Sequence, residues 1–560
     1  MQVYLMVIGI VVLFLFIAFL LGIRNEIVAE REFIADNRKN MGKAPNLKLS
    51  KARLAAIPRY SITHRDDNTI DDITWNDLGL DAVYERINYC KSGAGQEYLY
   101  HRLRTPKQSD DFVSEEKHIE HFSKNQKLSE KCMLILAKMG NSGKYSLYEY
   151  LDRLDELKNT SNKSHILLDV LLLLSVIGTF FYFGVFFVLS IALLFVNIVR
   201  YFAYKGEIEP YLETFRYVIR ISDCASMISK IDDEVLRQET QTLKEDAEKM
   251  ASFKRGSFII MSPTRLSSSG DPINVLLNYV CMITHLDLIK FNQMYAQLKN
   301  NKDIIDRMIT TMGHIDMELS IMMYRASLND NYCLPVFDNS SEKYNAENLY
   351  HPNMNNPVLN SIHTDRSVLL TGSNASGKST FLKTIAISAV MAQSIHTVLG
   401  TSYNAPMYRV YSSMALRDDL VSGDSYYIVE IKSLKRILDS AQRDGNKILC
   451  LIDEVLRGTN TVERIAASTQ ILRFLKHDKI QCFAATHDIE LTELLKEDYE
   501  NYHFEGTVTG NDVKFDYTLK KGPATNRNAI KLLSMIGYDS GIVDAAQAMA
   551  DNFDKTGSWK

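Results

Sequence analysis

Two stretches of the chain are almost purely apolar. Residues 3–23 form an uncharged run that is long enough to cross a bilayer core as a helix. Residues 166–199 form a second run, which is too long for one ordinary span and has Gly178 and Gly184 near its middle. Two short helices joined by a tight turn fit this second run best.

The remaining pattern changes near residue 331. Before it, apolar residues recur at spacings of three and four among charges, which predicts amphipathic helices. The longest such segment covers residues 286–326, and its methionine and aromatic stripe is expected to pack in a core. After residue 331, short β-rich runs alternate with helical patterns, which predicts a parallel sheet with crossover helices. We therefore expect an all-α helical core, interrupted by an apolar hairpin and followed by an α/β domain.

These patterns divide the chain into six segments. A length of 560 residues agrees with several domains, since one domain takes about 150 residues. The expected segments are a transmembrane anchor at 3–23, a basic cytoplasmic linker at 24–68, the first part of the helical core at 69–163, a transmembrane hairpin at 165–204, the second part of the core at 207–330, and the α/β domain with C-terminal helices at 331–560.

Positive charge follows the first apolar run. Eight Lys and Arg residues lie between positions 24 and 53, which places the chain after the run in the cytoplasm. No Lys or Arg precedes the run and no small-residue cleavage site follows it, so a retained anchor is favoured over a cleaved signal peptide. The two crossings of the hairpin then return the chain to the same side. We expect a multi-pass protein of the cell (inner) membrane with a cytoplasmic C-terminal domain.

Overall composition narrows the classes of partner. A formal net charge of -4 gives no global basic field, so any contact with nucleic acid would have to be local. The basic stretch at 24–53 is poor in aromatic residues, and beside a membrane span it is more simply a feature of topology and anionic lipid binding. Seven scattered cysteines without a CxxC pair indicate reduced thiols, and they argue against a disulfide framework or a zinc site.

The strongest chemical motif follows the apolar run at 367–371. A helical pattern comes directly after it, so the motif has the strand and the helix that flank a phosphate-binding loop. Glycines let backbone N–H groups converge on phosphate oxygens, and the helix N-terminus adds its positive dipole end. We expect Lys378 to neutralise the outer phosphates of ATP and Ser379 to bind Mg²⁺; the alternative is a glycine-rich turn without a ligand. The nine residues match GxxxxGK[ST] in full and are Gly372, Ser373, Asn374, Ala375, Ser376, Gly377, Lys378, Ser379 and Thr380.

Two further apolar runs end in polar residues. The first, at 448–452, is followed by Asp453 and Glu454, and the second, at 482–485, leads to His487. The carboxyl ends of strands are where an open α/β sheet places its chemistry. Asp453 is expected to hold Mg²⁺, and Glu454 is expected to orient or deprotonate the attacking water. A neutral His487 could bond the γ-phosphate or this water, although an isolated histidine is more often structural.

These motifs and their flanks resemble the MutS family, a branch of the ABC-type ATPases. The loop TGSNASGKST is similar to the family's TGPNMGGKST and differs from it at Ser373, Ala375 and Ser376. Residues 453–460, DEVLRGTN, closely match the family's DE-x-x-RGT run. The resemblance is specific over residues 331–560. Weaker similarity at 74–106 and 312–326 corresponds to the start and the close of the family's helical core.

The resemblance implies an ATP hydrolase of the P-loop, ABC type that works as a homodimer with ATP between two protomers. Lys378, Glu454 and His487 would then be the catalytic residues. The segment from 417 to 430 resembles the one that sends a serine across the family's dimer interface, and Ser425 is the serine that corresponds. The tail from 517 to 550 follows the family's C-terminal dimerisation pattern.

The resemblance does not carry every family property to this chain. Bacterial mismatch-repair members begin with a mismatch-reading domain that has a Phe-x-Glu wedge, whereas here that space holds the anchor and the linker. Phe33 lies in an R-E-F-I context that does not reproduce the wedge. DNA binding therefore stays open, and mismatch recognition is not expected.

Two other functions compete with a dimeric ATPase. An ABC-type transporter would also combine membrane spans with a phosphate loop, but three spans are few and no LSGGQ-like signature occurs. A nucleotide-gated membrane scaffold would bind ATP without hydrolysing it. The presence of Glu454 and His487 argues against such a scaffold.

Overall fold

A computed structural model of the chain describes residues 2–45, 49–143, 146–154, 161–257, 279–341, 343–373, 376–414, 426–443, 445–456, 459–476, 479–509, 512–524 and 529–558. By their contacts these residues form two compact units. Unit 1 comprises Met1–His64, Asn88–His101 and Val113–Tyr324, and unit 2 comprises Arg65–Ile87, Arg102–Phe112 and Arg325–Lys560.

The helices of the described residues are numbered along the chain. They are α1 Gln2–Asn40, α2 Lys51–Ala56, α3 Pro58–Thr63, α4 Asp72–Leu78, α5 Leu80–Ile87, α6 Gly93–Arg104, α7 Val113–Lys124, α8 Gln126–Met139, α9 Leu147–Leu154, α10 Lys163–Thr179, α11 Phe183–Ile228, α12 Arg237–Lys249, α13 Ala251–Lys254, α14 Leu286–Asn300, α15 Lys302–Ser327, α16 Lys378–Ile395, α17 Tyr426–Arg443, α18 Thr461–Phe474, α19 Glu490–Leu494, α20 Ala529–Ile536 and α21 Ser540–Thr556.

The strands of the described residues all lie in unit 2. They are β1 Val336–Phe337, β2 Tyr344–Leu349, β3 Asn360–Thr364, β4 Ser367–Thr371, β5 Ser402–Ala405, β6 Tyr408–Ser413, β7 Lys447–Asp453, β8 Ile480–Ala485, β9 Tyr499–Thr509 and β10 Asp512–Lys521.

Helix α1 is longer than the predicted anchor. It continues to Asn40, so residues 24–40 are helical rather than part of a linker. Its second half is fastened to α8, because Arg38 donates to both carboxylate oxygens of Glu130 at 2.6 and 2.8 Å. The side chains of residues 1–16 lie outside the described part of the chain, and the span at 3–23 therefore stays a prediction.

The second apolar run forms a helical hairpin of α10 and α11, with a turn between them. The hydroxyl of Ser190 donates to that of Ser175 at 3.0 Å, which ties the two helices together. Phe180 and Phe181 at the turn are 87% and 84% exposed. Of the residues described, one helical segment is long and apolar enough to cross a membrane. It is Phe183–Ile208 in α11, with a mean hydropathy of 2.3.

The amphipathic segment at 286–326 forms two helices, α14 and α15. They are separated at Asn301, whose side-chain amide donates to the carbonyl of Gln297 at 2.7 Å. Asparagine side chains compete with the helical hydrogen bonds in this way, and that competition explains the break. The expected core role of the methionine and aromatic stripe is confirmed, since Phe291 and Met312, for example, are buried.

Unit 2 contains the predicted α/β arrangement. A six-stranded sheet has the order β10-β9-β4-β8-β7-β6, in which β9, β4, β8, β7 and β6 run parallel and β10 is antiparallel at one edge. A smaller sheet has the order β1-β5-β2-β3. The three apolar runs that the sequence marks as strands are β4, β7 and β8, and each is buried through most of its length.

Register brings the carboxyl ends of these three strands together. Ala485 of β8 is paired with Leu370 of β4 on one side and with Asp453 of β7 on the other. The residues that follow each strand therefore leave the sheet at the same edge. Because β8 lies between β4 and β7, the loops after all three strands are neighbours.

Part of the predicted helical core belongs to unit 2. Residues 65–87 and 102–112 group with this unit, so the segment expected at 69–163 is divided between the two units. At the end of β6, Asp77 of α4 accepts hydrogen bonds from the hydroxyl of Ser412 at 2.7 Å and from the backbone N–H of Met414 at 2.9 Å.

Candidate active site

The loop between β4 and α16 is shaped by two glycines. Gly372 has φ +142°, and a Cβ atom at this position would lie 2.5 Å from the carbonyl oxygen of Phe504. Only glycine combines this backbone angle with so close an approach. Gly377, with φ +109°, is the N-cap of α16. The loop therefore ends at a helix N-terminus, where the helix dipole favours negative charge.

Lys378 is the first residue of α16 and is 5% exposed. Its Nζ donates to the carbonyl oxygens of Gly372 at 2.7 Å and Ser373 at 3.1 Å. The same Nζ lies 3.3 Å from Nε2 of His487. The lysine ammonium is thus held across the loop and reaches His487, the second residue after β8.

Glu454 follows β7 in a left-handed backbone conformation, with φ +67°. Its N–H donates to the carbonyl of Ala485 at 2.9 Å, which continues the ladder between β7 and β8. Its Oε1 lies 3.1 Å from Nε2 of His487. A non-glycine residue with this φ is strained, and such strain is concentrated at functional sites.

His487 is held in place by its neighbour in the sequence. Asp488 accepts two hydrogen bonds from the guanidinium of Arg464 in α18, at 2.9 and 2.6 Å. The N–H of Asp488 also donates to the hydroxyl of Thr486 at 3.0 Å. A bidentate pair of this kind fixes orientation as well as distance. The loop after β8 is therefore anchored to α18.

One cleft of about 700 Å³ collects most of the predicted site residues. Three predicted residues, Asn374, Ala375 and Ser425, lie outside the described residues. Gly372 shapes the loop beside the cleft. The predicted residues that line the cleft are Ser373, Ser376, Gly377, Lys378, Ser379, Thr380, Asp453, Glu454 and His487.

Two serines of the loop have buried hydroxyl oxygens. The Oγ atoms of Ser373 and Ser376 have no hydrogen-bond partner among the described residues. Both residues line the cleft, and both stand where the sequence departs from the MutS loop. A buried polar atom without a partner is costly. A ligand with several acceptor oxygens would relieve that cost.

Sequence reasoning missed part of the cleft wall. Tyr517 of β10, at φ +53°, lines the cleft, and its ring lies 3.3 Å from where a Cβ of Gly377 would be. The side chain of Asn360 fastens it by donating to the Tyr517 carbonyl at 3.0 Å. His351 is also part of the wall, and burial, with Lys383 nearby, lowers its pKa, which favours the neutral ring. The sequence patterns do not assign either residue to the site, because strand β10 and the segment before β3 meet only in the fold.

Metal binding by protein side chains alone is not supported. In the described part of the chain, no group of three or more His, Cys, Asp and Glu residues is arranged to hold a metal. Ser379 and Asp453 do line the same cleft. One hydroxyl and one carboxylate suit Mg²⁺ at a phosphate site, where water and phosphate oxygens complete the coordination.

Comparison with known proteins agrees with this geometry. Residues 368–554 match the family description MutS domain V. The DNA mismatch repair protein MutS of Lactobacillus acidophilus is 27% identical over 299 residues, which are 51% of this chain and 34% of that protein. The protein of the same name from Thermotoga maritima is 30% identical over 288 residues, which are 50% of this chain and 35% of that protein.

A third relative shows a shorter match. DNA mismatch repair protein MutS 2 of Haloarcula marismortui is 33% identical over 184 residues, which are 32% of this chain and 19% of that protein. The matches to the L. acidophilus and T. maritima proteins each span about a third of the relative's length. Over its C-terminal region the chain is similar to proteins of the MutS family.

Proposed function

We propose that this chain is a membrane-anchored ATPase of the MutS type. ATP bound between two protomers is hydrolysed, and the cycle drives a conformational change in the helical core. One observation carries the proposal: Lys378, His487 and Glu454 are in contact at the ends of three adjacent parallel strands, within one cleft. A cation, a histidine and a carboxylate in this order provide phosphate binding, contact with the nucleotide and activation of water.

Phosphate binding rests on the loop and the first turn of α16. The ammonium of Lys378 supplies charge, and the helix N-terminus supplies a positive dipole end. The hydroxyls of Ser373 and Ser376 can also donate to phosphate oxygens. A bound phosphate would then give their buried oxygen atoms the hydrogen-bond partner that the described residues do not provide. The ring of Tyr517, on the cleft wall beside Gly377, offers a flat apolar face on which the adenine base of ATP could stack.

The position of His487 supports the proposed hydrolysis. Its Nε2 faces both Lys378 and Glu454, and one ring nitrogen can accept from the ammonium or donate to the carboxylate but cannot do both in one tautomer. Phosphate binding draws the Lys378 ammonium towards the nucleotide. Nε2 is then available to donate a hydrogen bond, and Glu454 takes the proton of the attacking water.

Ser379 and Asp453 are the residues that would hold Mg²⁺. When it is bound, the ion supplies positive charge that offsets the phosphate oxygens. Asp453 ends β7 and lies directly before Glu454, so the metal-binding carboxylate and the proposed base come from consecutive residues.

A homodimer completes the proposed site. Ser425, which directly precedes α17, would reach the nucleotide of the partner protomer, as the resemblance to the family implies. The C-terminal helices α20 and α21 carry exposed apolar side chains that suit a shared interface. Ile536, Ile542 and Met549 are all more than half exposed.

Membrane attachment and DNA binding are separate parts of the proposal. The exposed aromatic turn of the α10–α11 hairpin and the apolar segment in α11 support contact with membrane lipid. Attachment would restrict the ATPase to targets at the inner surface of the membrane. The names of the relatives make DNA a candidate target. Binding through the DNA phosphates would weaken steeply as the salt concentration rises.

The test uses the full chain in detergent or lipid nanodiscs. ATP binding and single-turnover hydrolysis are measured, followed by steady-state rates with duplex DNA, branched DNA or anionic vesicles at several salt concentrations. Turnover above a Lys378→Ala control supports the ATPase. ATP binding without turnover would instead identify a nucleotide-gated scaffold. Stimulation by DNA that falls steeply with salt would support a DNA target, whereas stimulation by vesicles alone would indicate lipid.

A further inference from the structure

Glu430 is a buried carboxylate in the second turn of α17. It is 4% exposed, and a buried carboxylate is costly unless it accepts hydrogen bonds. Its Oε1 accepts the backbone N–H of Leu456. Leu456 lies in the loop that follows β7 and begins with Glu454. A side chain of α17 therefore holds the backbone two residues after the proposed catalytic base.

This loop needs such a hold because its backbone is strained. Glu454 has φ +67° and Leu456 has φ +59°, and neither is glycine. The left-handed region is unfavourable for residues with a Cβ atom, and bulky residues there are outliers. Strained conformations persist only where the surrounding structure imposes them.

The described contacts reach the loop from three elements. Strand β8 accepts the N–H of Glu454 through Ala485. Helix α18 donates the hydroxyl of Ser468 to the carbonyl of Val455 at 3.3 Å. Helix α17 supplies the Glu430 carboxylate, which meets the second left-handed residue directly. Loss of this last contact would leave Leu456 without its imposed geometry on that side.

We propose that Glu430 is a positioning residue for ATP hydrolysis. Its carboxylate holds the Leu456 N–H, fixes the left-handed loop and thereby aims Glu454 at His487. Glu430 lies outside the nucleotide cleft and lines a neighbouring cavity of about 170 Å³, to which Glu454 also contributes. This inference rests on the proposed ATPase function and adds to it a residue that acts through Glu454.

The test compares three variants of the full chain. Glu430→Ala removes the acceptor, whereas Glu430→Gln keeps an acceptor oxygen of the same reach. Ser433→Ala is the matched control, since Ser433 lines the same cavity and its buried hydroxyl has no hydrogen-bond partner among the described residues. Nucleotide affinity, kcat, KM and the melting temperature are measured for each variant.

We expect Glu430→Ala to lower kcat by about tenfold to a hundredfold, the effect of a small misplacement of a catalytic group, with ATP affinity retained. Glu430→Gln should recover most of the rate, and Ser433→Ala should match the wild type. An unchanged kcat in Glu430→Ala overturns the inference. So does a parallel loss of ATP affinity and melting temperature that Glu430→Gln does not restore, because that pattern describes a structural residue.

The outcomes also separate this inference from the proposed function. A wild-type chain that binds ATP without turnover removes the ATPase and the inference together. A wild-type chain with turnover and a fully active Glu430→Ala variant removes the inference alone.

Discussion

Replacing Glu454 with glutamine tests the centre of the proposed mechanism. The substitution keeps the size and a hydrogen-bonding group next to Nε2 of His487, now 3.1 Å from Oε1, but removes the negative charge that accepts a proton. General-base catalysis contributes roughly 10²- to 10⁴-fold to a rate. At about 1.36 kcal/mol per factor of ten, the variant should lose about 2.7 to 5.4 kcal/mol of transition-state stabilisation.

ATP affinity should survive the same change. The phosphates are expected to contact Lys378, the loop and the helix N-terminus, and Glu454 is a carboxylate whose removal relieves repulsion from the triphosphate. Affinity in Glu454→Gln should therefore equal or exceed that of the wild type, measured by equilibrium binding of a fluorescent ATP analogue. Single-turnover hydrolysis of radiolabelled ATP gives the rate of the chemical step.

The control for Glu454→Gln removes an identical charge from the surface. Glu493 of α19 has a side chain that is 75% exposed and pairs with Lys496. Glu493→Gln should keep both the affinity and the rate. A wild-type rate in Glu454→Gln would refute the assignment of the base. A loss of ATP binding in that variant would instead mean that Glu454 belongs to the binding machinery.

Four further results are expected. Lys378→Ala should weaken ATP binding by at least about tenfold, since a hydrogen bond to a charged group contributes about 1.5–3 kcal/mol, and equilibrium binding would show it. Ser425→Ala should be inactive as a homodimer, yet mixing it with Lys378→Ala protomers should restore turnover by forming one intact site. Gly372→Ala should weaken ATP binding, because its Cβ would meet a backbone carbonyl at 2.5 Å; unchanged affinity would contradict the described loop. The hydrogen bond to Asp306 raises the pKa of His64. The stability that this pair contributes is therefore complete below about pH 6.5 and is lost as the pH rises through the raised pKa. Over that rise in pH, the melting temperature should fall more in the wild type than in His64→Gln.

The strands of the site could be predicted because their signal is local. Each is a short apolar run bounded by polar residues or glycine, and the observed β4, β7 and β8 differ from the predicted runs by at most two residues at either end. The order β4-β8-β7 is a different kind of fact. It depends on crossover connections, and the expectation that all three strand ends serve one phosphate predicted only that the strands are neighbours.

The remaining features were missed either because a local signal was concealed or because they depend on contacts between distant parts of the chain. The polar run around Asn301 is a local signal for the helix break, but the helical spacing of apolar residues on both sides concealed it. The grouping of residues 65–87 with the C-terminal unit rests on contacts such as that of Asp77 with Ser412, more than 300 residues away in sequence. The left-handed backbone at Glu454 has no sequence signal either, since glutamate rarely adopts it and the fold imposes it.

The strained loop also suggests why the proposed catalytic base and the proposed dimer contact lie on connected elements. Ser425, expected to meet the partner's nucleotide, directly precedes α17, and Glu430 follows within the next two turns. A contact that orders the start of α17 would therefore act on the residue that holds the Leu456 N–H. Since the loop keeps its left-handed geometry only while its neighbours impose it, a shift of α17 that breaks the Glu430 contact is expected to change the position of Glu454. In the proposed dimer, hydrolysis would then depend on the partner's nucleotide through the start of α17, where Ser425 and Glu430 are five residues apart. The sheet that carries the strand ends would not need to change.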